Sequence, residues 1–264
     1  MVSSPLKRLC LLLGLLVLAA LRLPTAGAAA AADTGEKSGG VSGRPALVDG
    51  DMSSRVRACT TCHGLEGRST PSGYYPRIAG KPAGYLYQQL LNFRDGRRSY
   101  PQMAYLLEHL PDAYLQEIAA HFSQLHVPYA PPPALPVPRQ VLEAGRRLAL
   151  QGDAGKGVPA CVRCHGDALM GLAPSVPGLL GLPRDYLNSQ LGAWATGQRR
   201  ARTPDCMARI ARALSPDDVA AVSAWLASQP VPAGARPATG AASLAQPLPM
   251  PCGGVDLPAR EATR

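Results

Sequence analysis

Two stretches carry the chemistry of this chain. Ala58-Cys59-Thr60-Thr61-Cys62-His63-Gly64 returns as Ala160-Cys161-Val162-Arg163-Cys164-His165-Gly166. In each, two thiols three residues apart are followed at once by an imidazole. On a short helical turn the thiols reach two vinyl groups of one flat macrocycle, and the next residue aims a ring nitrogen at its centre. C-x-x-C-H is accordingly the attachment signature of c-type haem. Structural zinc usually pairs two cysteine/histidine clusters about 12–20 residues apart, whereas these clusters stand about 100 residues apart. A thioredoxin-like dithiol needs a strand–helix–strand context that the flanks lack. The sequence therefore predicts two covalently bound haems c, held by Cys59 and Cys62 and by Cys161 and Cys164, with His63 and His165 as iron ligands.

The opposite axial ligand must come from the far face of each macrocycle. Met103 and Met207 each follow a motif histidine by about 40 residues and precede the last helical pattern of their half. A methionine is more often core than ligand, but recurrence at one spacing after a haem motif reverses that expectation. Met170 stands too close to His165 to wrap around the macrocycle edge. His109, His121 and His126 are alternatives for the first half only, and His121 and His126 read as surface or packing residues. Histidine/methionine ligation raises the reduction potential above that of a bis-histidine iron. It also fills all six positions, which argues for electron transfer over catalysis. The ring N–H of a ligating histidine needs an acceptor. The carbonyls of Pro76 and Pro177 could serve, and the same prolines also read as ordinary loop residues.

The elements that must position these residues come in two copies. Tyr85-Leu86, Gln89-Leu90, Phe93 and Gly96 match Tyr186-Leu187, Gln190-Leu191, Trp194 and Gly197 at one constant offset, which marks a tandem duplication. Leu86, Leu90 and Phe93, and Leu115, Ile118, Phe122 and Leu125, follow helical spacing. Ser215, Pro216 and Asp218 form a helix start ahead of the stripe Val219, Val222 and Leu226. No useful run alternates with period two, so the fold class is all-α, two small helical domains with Gly/Pro-rich loops. Domain 1 spans 47–126 and domain 2 spans 140–229. Between them, 127–139 holds six prolines in thirteen residues and favours an extended connection along the surface. A Pro/Ala/Gly-rich tail, 230–264, shows no periodic pattern.

The chain has 264 residues, 46% of them hydrophobic, which excludes intrinsic disorder. Only 5% are aromatic, a thin supply for its cores that two macrocycles would make good. Lys7 and Arg8, the apolar run Leu9–Leu21 and Ala26-Gly27-Ala28 form a cleavable export signal, 1–28, followed by a flexible segment, 29–46. That run is shorter than the roughly 20 residues of a membrane span. Export predicts the periplasm, where disulfides persist. Once Cys10 and the haem cysteines are assigned, Cys206 and Cys252 remain and are predicted to pair, the rivals being free thiols or Cys206 on iron. Removal of Lys7, Arg8 and Arg22 lowers the formal charge from +9 to +6, and ionised haem propionates lower it further. Arg94, Arg97, Arg98, Arg199, Arg200 and Arg202 gather near the two methionines. They read either as solvated or propionate-pairing groups or as a docking rim. Nucleic acid is not an expected partner.

On Cys59–Gly64, Pro76–Gly80, Tyr85–Leu90, Phe93–Arg97 and Met103, and on Gly152–Gly166, Tyr186–Leu191 and Met207, the chain resembles the dihaem cytochrome c4 family of tandem class I c-type cytochromes. The resemblance covers both repeats. It implies a pseudo-twofold pair of domains with neighbouring haem edges, the axial pairs His63/Met103 and His165/Met207, and Pro76 and Pro177 as the prolines that orient the histidines. It implies a carrier taking electrons from a quinol-oxidising cytochrome bc complex or a dehydrogenase to a terminal oxidase, with peripheral membrane association through such complexes. The stretch between His165 and Pro177, Cys206 beside Met207, and the tail depart from the family pattern. A dihaem subunit permanently docked to a dehydrogenase or oxidase, and a peroxidase-like dihaem enzyme, are the alternative functions.

Overall fold

The computed structural model describes residues 51–239 and 247–255. The expected export signal 1–28 and the segment 29–46 lie outside the described residues, as do 240–246 and 256–264 of the tail. Among the described residues no helix is long and apolar enough to cross a membrane.

The first half runs α1 (Met52–Arg55), α2 (Arg57–His63), α3 (Ala83–Arg94), α4 (Pro101–Leu107) and α5 (Asp112–Gln124). The apolar spacing read from the sequence becomes the packing of α3 against α5: Leu86, Leu91 and Phe93 meet Leu115, Ile118 and Phe122, with Val56 and Leu107 closing the cluster. Leu90 and Leu125, members of the same stripes, are only partly buried against it. Pro101 opens α4 at its first turn, where a missing N–H costs nothing.

The second half runs α6 (Arg139–Gln151), α7 (Val162–His165), a hairpin of β1 (Gly171–Leu172) with β2 (Val176–Pro177), α8 (Arg184–Thr196), α9 (Cys206–Ala213) and α10 (Pro216–Ser228). Ser215 caps α10 in a reciprocal box with Asp218, and Pro216 takes the first turn. The expected one-sided stripe on α10 is wider in the structure, because every residue from Ala221 to Ala227 is buried. Small side chains explain this. At Gly145 of α6, an added Cβ would lie 2.8 Å from Trp225 Cβ, so the two backbones approach as only glycine permits. The hairpin falls in the stretch that departs from the repeat, and two residues per strand are too few for alternation to show.

The linker 127–139 forms no helix before Arg139 and no strand. Arg77 fastens its start, donating to the carbonyls of Val127 and Pro128 and stacking on Tyr129 at 3.8 Å. The tail is held in two places. Ala238 exchanges backbone hydrogen bonds with Gly171 and Ala173 beside the hairpin, and Gly253 N–H donates to Pro204. The two halves meet along a reciprocal seam. Ser99 N–H donates to Gln198 at 2.9 Å and Arg200 N–H to Arg97 at 2.7 Å, making Arg98 and Arg199 an antiparallel bridge. Such reciprocity is what a local twofold axis produces.

Candidate haem sites

His63 closes α2 and His165 closes α7, each at the end of its C-x-x-C-H turn. The chain leaves both through a glycine. Gly64 has φ 78 and ψ 165, Gly166 φ 81 and ψ 153, a region open essentially to glycine alone. Both imidazoles are buried. His63 Nδ1–H donates to the Pro76 carbonyl at 2.8 Å, and His165 Nδ1–H to the Pro177 carbonyl at 2.7 Å. Burial pushes both rings below the usual histidine range, against the opposing pull of these carbonyls. A neutral ring protonated at Nδ1 leaves Nε2 with its lone pair, the form a metal takes.

None of the four motif cysteines is in a disulfide. Burial raises the Cys59 and Cys164 thiols and pushes Cys161 up to about 11. One continuous cavity of about 930 Å³ is lined by all four, by His63 and His165, and by Met103 and Met207. Its hydrocarbon wall comes from Phe93, Ile118 and Phe122 in the first half and Leu187, Trp194 and Leu226 in the second. Met103 sits in the first turn of α4, Met207 in the first turn of α9. Twin thiols, a fixed imidazole, a soft sulfur and an apolar wall make up, twice over, a donor set that fits haem c.

The competing ligands lie elsewhere. Met170 is buried in the second core and is not on the cavity wall. His109 is exposed beside Glu108, and neither His121 nor His126 lines the cavity. Cys206 and Cys252 form a disulfide with Cα atoms 5.1 Å apart, directly before Met207.

The six arginines near the methionines do not form one rim. Arg94 pairs with Asp95 and Asp112, and Arg97 with Asp95. Arg200 donates to the Gly96 carbonyl, and Arg202 is exposed. Arg98 and Arg199 are buried at the seam, where they meet Gln89, Gln190 and the tyrosines of the opposite half. Sequence reasoning missed this cluster together with buried Lys81, whose Nζ donates to the Gly178 carbonyl across the seam at 2.9 Å. The constant offset of the Tyr, Gln and Arg positions was the available signal, but it marks equivalent positions rather than mutual contact.

No family model matches the chain. A thiosulfate dehydrogenase electron acceptor of Thiomonas intermedia is 37% identical over 174 residues, 66% of this chain and 79% of the relative. A cytochrome c4 of Pseudomonas aeruginosa is 33% identical over 179 residues, 65% of this chain and 84% of the relative. Among solved structures, the thiosulfate dehydrogenase TsdBA from Marichromatium purpuratum matches with a TM-score of 0.59 and 34% identity; the match covers 66% of this chain but only 36% of that one. Reduced cytochrome c4 from Pseudomonas stutzeri matches with a TM-score of 0.58 and 28% identity, over 67% of this chain and 95% of that one.

Proposed function

The chain belongs to the cytochrome c4 family of electron-carrying cytochromes, and from that premise we propose that it holds two haems c, one per repeat, and carries electrons in the periplasm from a dehydrogenase to a terminal oxidase. The observation that carries this reading is the placement of two complete donor sets on one cavity wall. Cys59 and Cys62, and Cys161 and Cys164, would fix the macrocycles through thioethers, with His63/Met103 and His165/Met207 as axial pairs. When bound, haem iron supplies a one-electron couple.

The chain's residues shape that couple. The carbonyls of Pro76 and Pro177 lock ring orientation and tautomer. As iron ligands, the thioethers of Met103 and Met207 would favour the reduced metal more than a second imidazole would. The hydrocarbon wall keeps water away, which further disfavours the extra charge of the oxidised state. With His63 and Met103, and His165 and Met207, as its ligands, each haem iron would keep no coordination site for substrate, which supports a carrier rather than an enzyme. The relative named as a thiosulfate dehydrogenase electron acceptor supports a dehydrogenase of that class as donor.

A pyridine haemochrome assay on the purified chain should give two haems per polypeptide, and Cys161→Ala with Cys164→Ala should give one. Met207→His should keep the second haem six-coordinate, abolish its far-red methionine–iron band and lower its potential. A single haem in the unaltered chain, or an unchanged redox titration of Met207→His, would overturn the assignment.

A further inference from the structure

The two proline carbonyls that receive the histidine protons are fastened differently. Pro76 is followed by Arg77, whose guanidinium donates to the carbonyls of Ala79, Val127 and Pro128. That loop is tied within the first half and the start of its linker. Pro177, at the equivalent place, is followed by Gly178. A Cβ there would lie 2.6 Å from the Met170 carbonyl carbon, so the position takes glycine alone. Glycine brings backbone freedom and no side chain to restrain it. The restraint comes from the other half. Lys81 Nζ donates to the Gly178 carbonyl at 2.9 Å. Four residues on, Tyr85 N–H donates to the Pro174 carbonyl at 3.2 Å. Gly84 admits the same turn so closely that a Cβ would stand 2.8 Å from the Pro174 oxygen. The first half thus grips the segment 174–178, which carries the acceptor of His165, at both ends.

At Lys81 this grip has no counterpart in the other direction. Gly80-Lys81-Pro82 is matched in the repeat by Gly181-Leu182-Pro183, and Leu182 is an apolar member of the second core. Lys81 is only 5% exposed and lines the cavity. Among the described residues no carboxylate lies within 4.0 Å of it. Burial, with Arg77 nearby, pushes its ammonium down to about 7. A buried cation lacking a counter-ion costs several kcal/mol, a cost that the leucine of the sister site avoids. Beyond burial, the charge that bears on the His165 ring is Lys81, whereas on the His63 ring it is Arg98.

We propose, resting on the haem reading above, that Lys81 is a positioning residue for the second haem: from across the seam it pins Gly178, steadies the Pro177 carbonyl on His165, and keeps a positive charge on that side of the cavity. The partner that orients a ligating histidine tunes the metal it binds. A cation near the iron disfavours the further positive charge of its oxidised state. Lys81 therefore raises the second haem's potential, and the first half acts on the second without the reverse. Its loss acts on the second iron and leaves the first unchanged.

The test uses the haem-loaded protein at pH 6, where the ammonium is charged. Lys81→Met and Lys81→Gln are compared with Lys156→Met, which removes an exposed cation of the second half paired with Asp218. Optical redox titration, haemochrome stoichiometry and thermal unfolding are measured, and the haem that loses its methionine band in Met207→His is assigned as the second. Both Lys81 variants should lower the second haem's potential and leave the first where it was, and Lys156→Met should move neither. A Lys81→Met protein with two haems and unshifted potentials overturns the proposal, even if it melts earlier, because a merely structural tie predicts only the change in melting. Two potentials lowered by the same amount overturn it as well, since they report a general field in the cavity and not a hold on one site. Should Lys81→Met take up no second haem, Lys81→Gln, which keeps a side-chain donor and removes the charge, decides: a lowered second potential alone supports the role, and two unchanged potentials overturn it. An unaltered chain without two covalent haems fails the function reading instead.

Discussion

At His63 and His165 two demands meet: the ring must be neutral with its proton on Nδ1, and the chain must turn away at once to leave the other face of the imidazole open. The proline carbonyls meet the first demand. Gly64 and Gly166 meet the second with backbone angles that a side chain tolerates only at about 1–3 kcal/mol. The two glycines differ in what surrounds them. A Cβ on Gly64 would stand 2.8 Å from the Ser69 carbonyl carbon, which is backbone, whereas one on Gly166 would meet a Leu172 methyl at 3.1 Å. Backbone cannot swing aside as a leucine methyl can. Gly64→Ala should therefore reduce covalent haem in its domain more than Gly166→Ala does in the other. Haem stoichiometry of the two variants, expressed side by side, checks this ranking, and equal losses would contradict it.

At the scale of elements, the disulfide gives the tail a task. Cys206 is the first residue of α9 and Met207 the second. The bridge to Cys252, with Gly253 bonded to Pro204 and Met250 buried, lays the tail beside the methionine's own turn. Closing a loop of sequence separation 46 is worth roughly 4 kcal/mol in the chain-entropy model. Cys206→Ser should cost stability of that order in the second domain. It should also lower the second haem's potential, since water reaching the Met207 loop favours the oxidised iron. Denaturant unfolding and a redox titration measure the two effects, and non-reducing peptide mapping of the unaltered chain must show the bridged pair. How much of this was legible beforehand follows from the signals involved. Helices α3, α5 and α10 announce themselves by apolar spacing, and the start of α10 by Ser215, Pro216 and Asp218. The C-x-x-C-H turns are legible because their chemistry is local, and the Cys206–Cys252 pair is legible by elimination. The hairpin of β1 and β2 is too short to leave a pattern. The tail's pairing with it runs through backbone groups that any sequence possesses. The cluster of Arg98, Arg199, Tyr85 and Tyr186 joins residues 88 and 114 positions apart, so only the fold reveals it.

For the whole molecule, the question is whether net charge steers its partners. The sequence places six arginines about the methionines, and taken alone they would make a strongly positive docking rim. The fold disperses that charge. Arg94 and Arg97 are neutralised by Asp95 and Asp112, while Arg98 and Arg199 face inward. Arg200 is turned onto a carbonyl of the other half, which leaves Arg202 as the exposed cation of the set without such a partner. Beside Met103 on α4, the exposed side chains are the uncharged Pro101, Gln102, Tyr105 and Leu106. If the expected export segment 1–28 is removed, the formal charge would be +6, and four ionised propionates would bring it near +2. A field this small, screened over about 10 Å at ordinary ionic strength, adds little to encounter rates. Stopped-flow reduction of the oxidised protein by an anionic and by a cationic small-molecule reductant measures the charge felt at the electron-transfer edge. Both rate constants should change little between low and high salt, and in opposite directions. A steep fall with salt for the anionic reductant alone would show a positive rim that this arrangement of arginines does not provide.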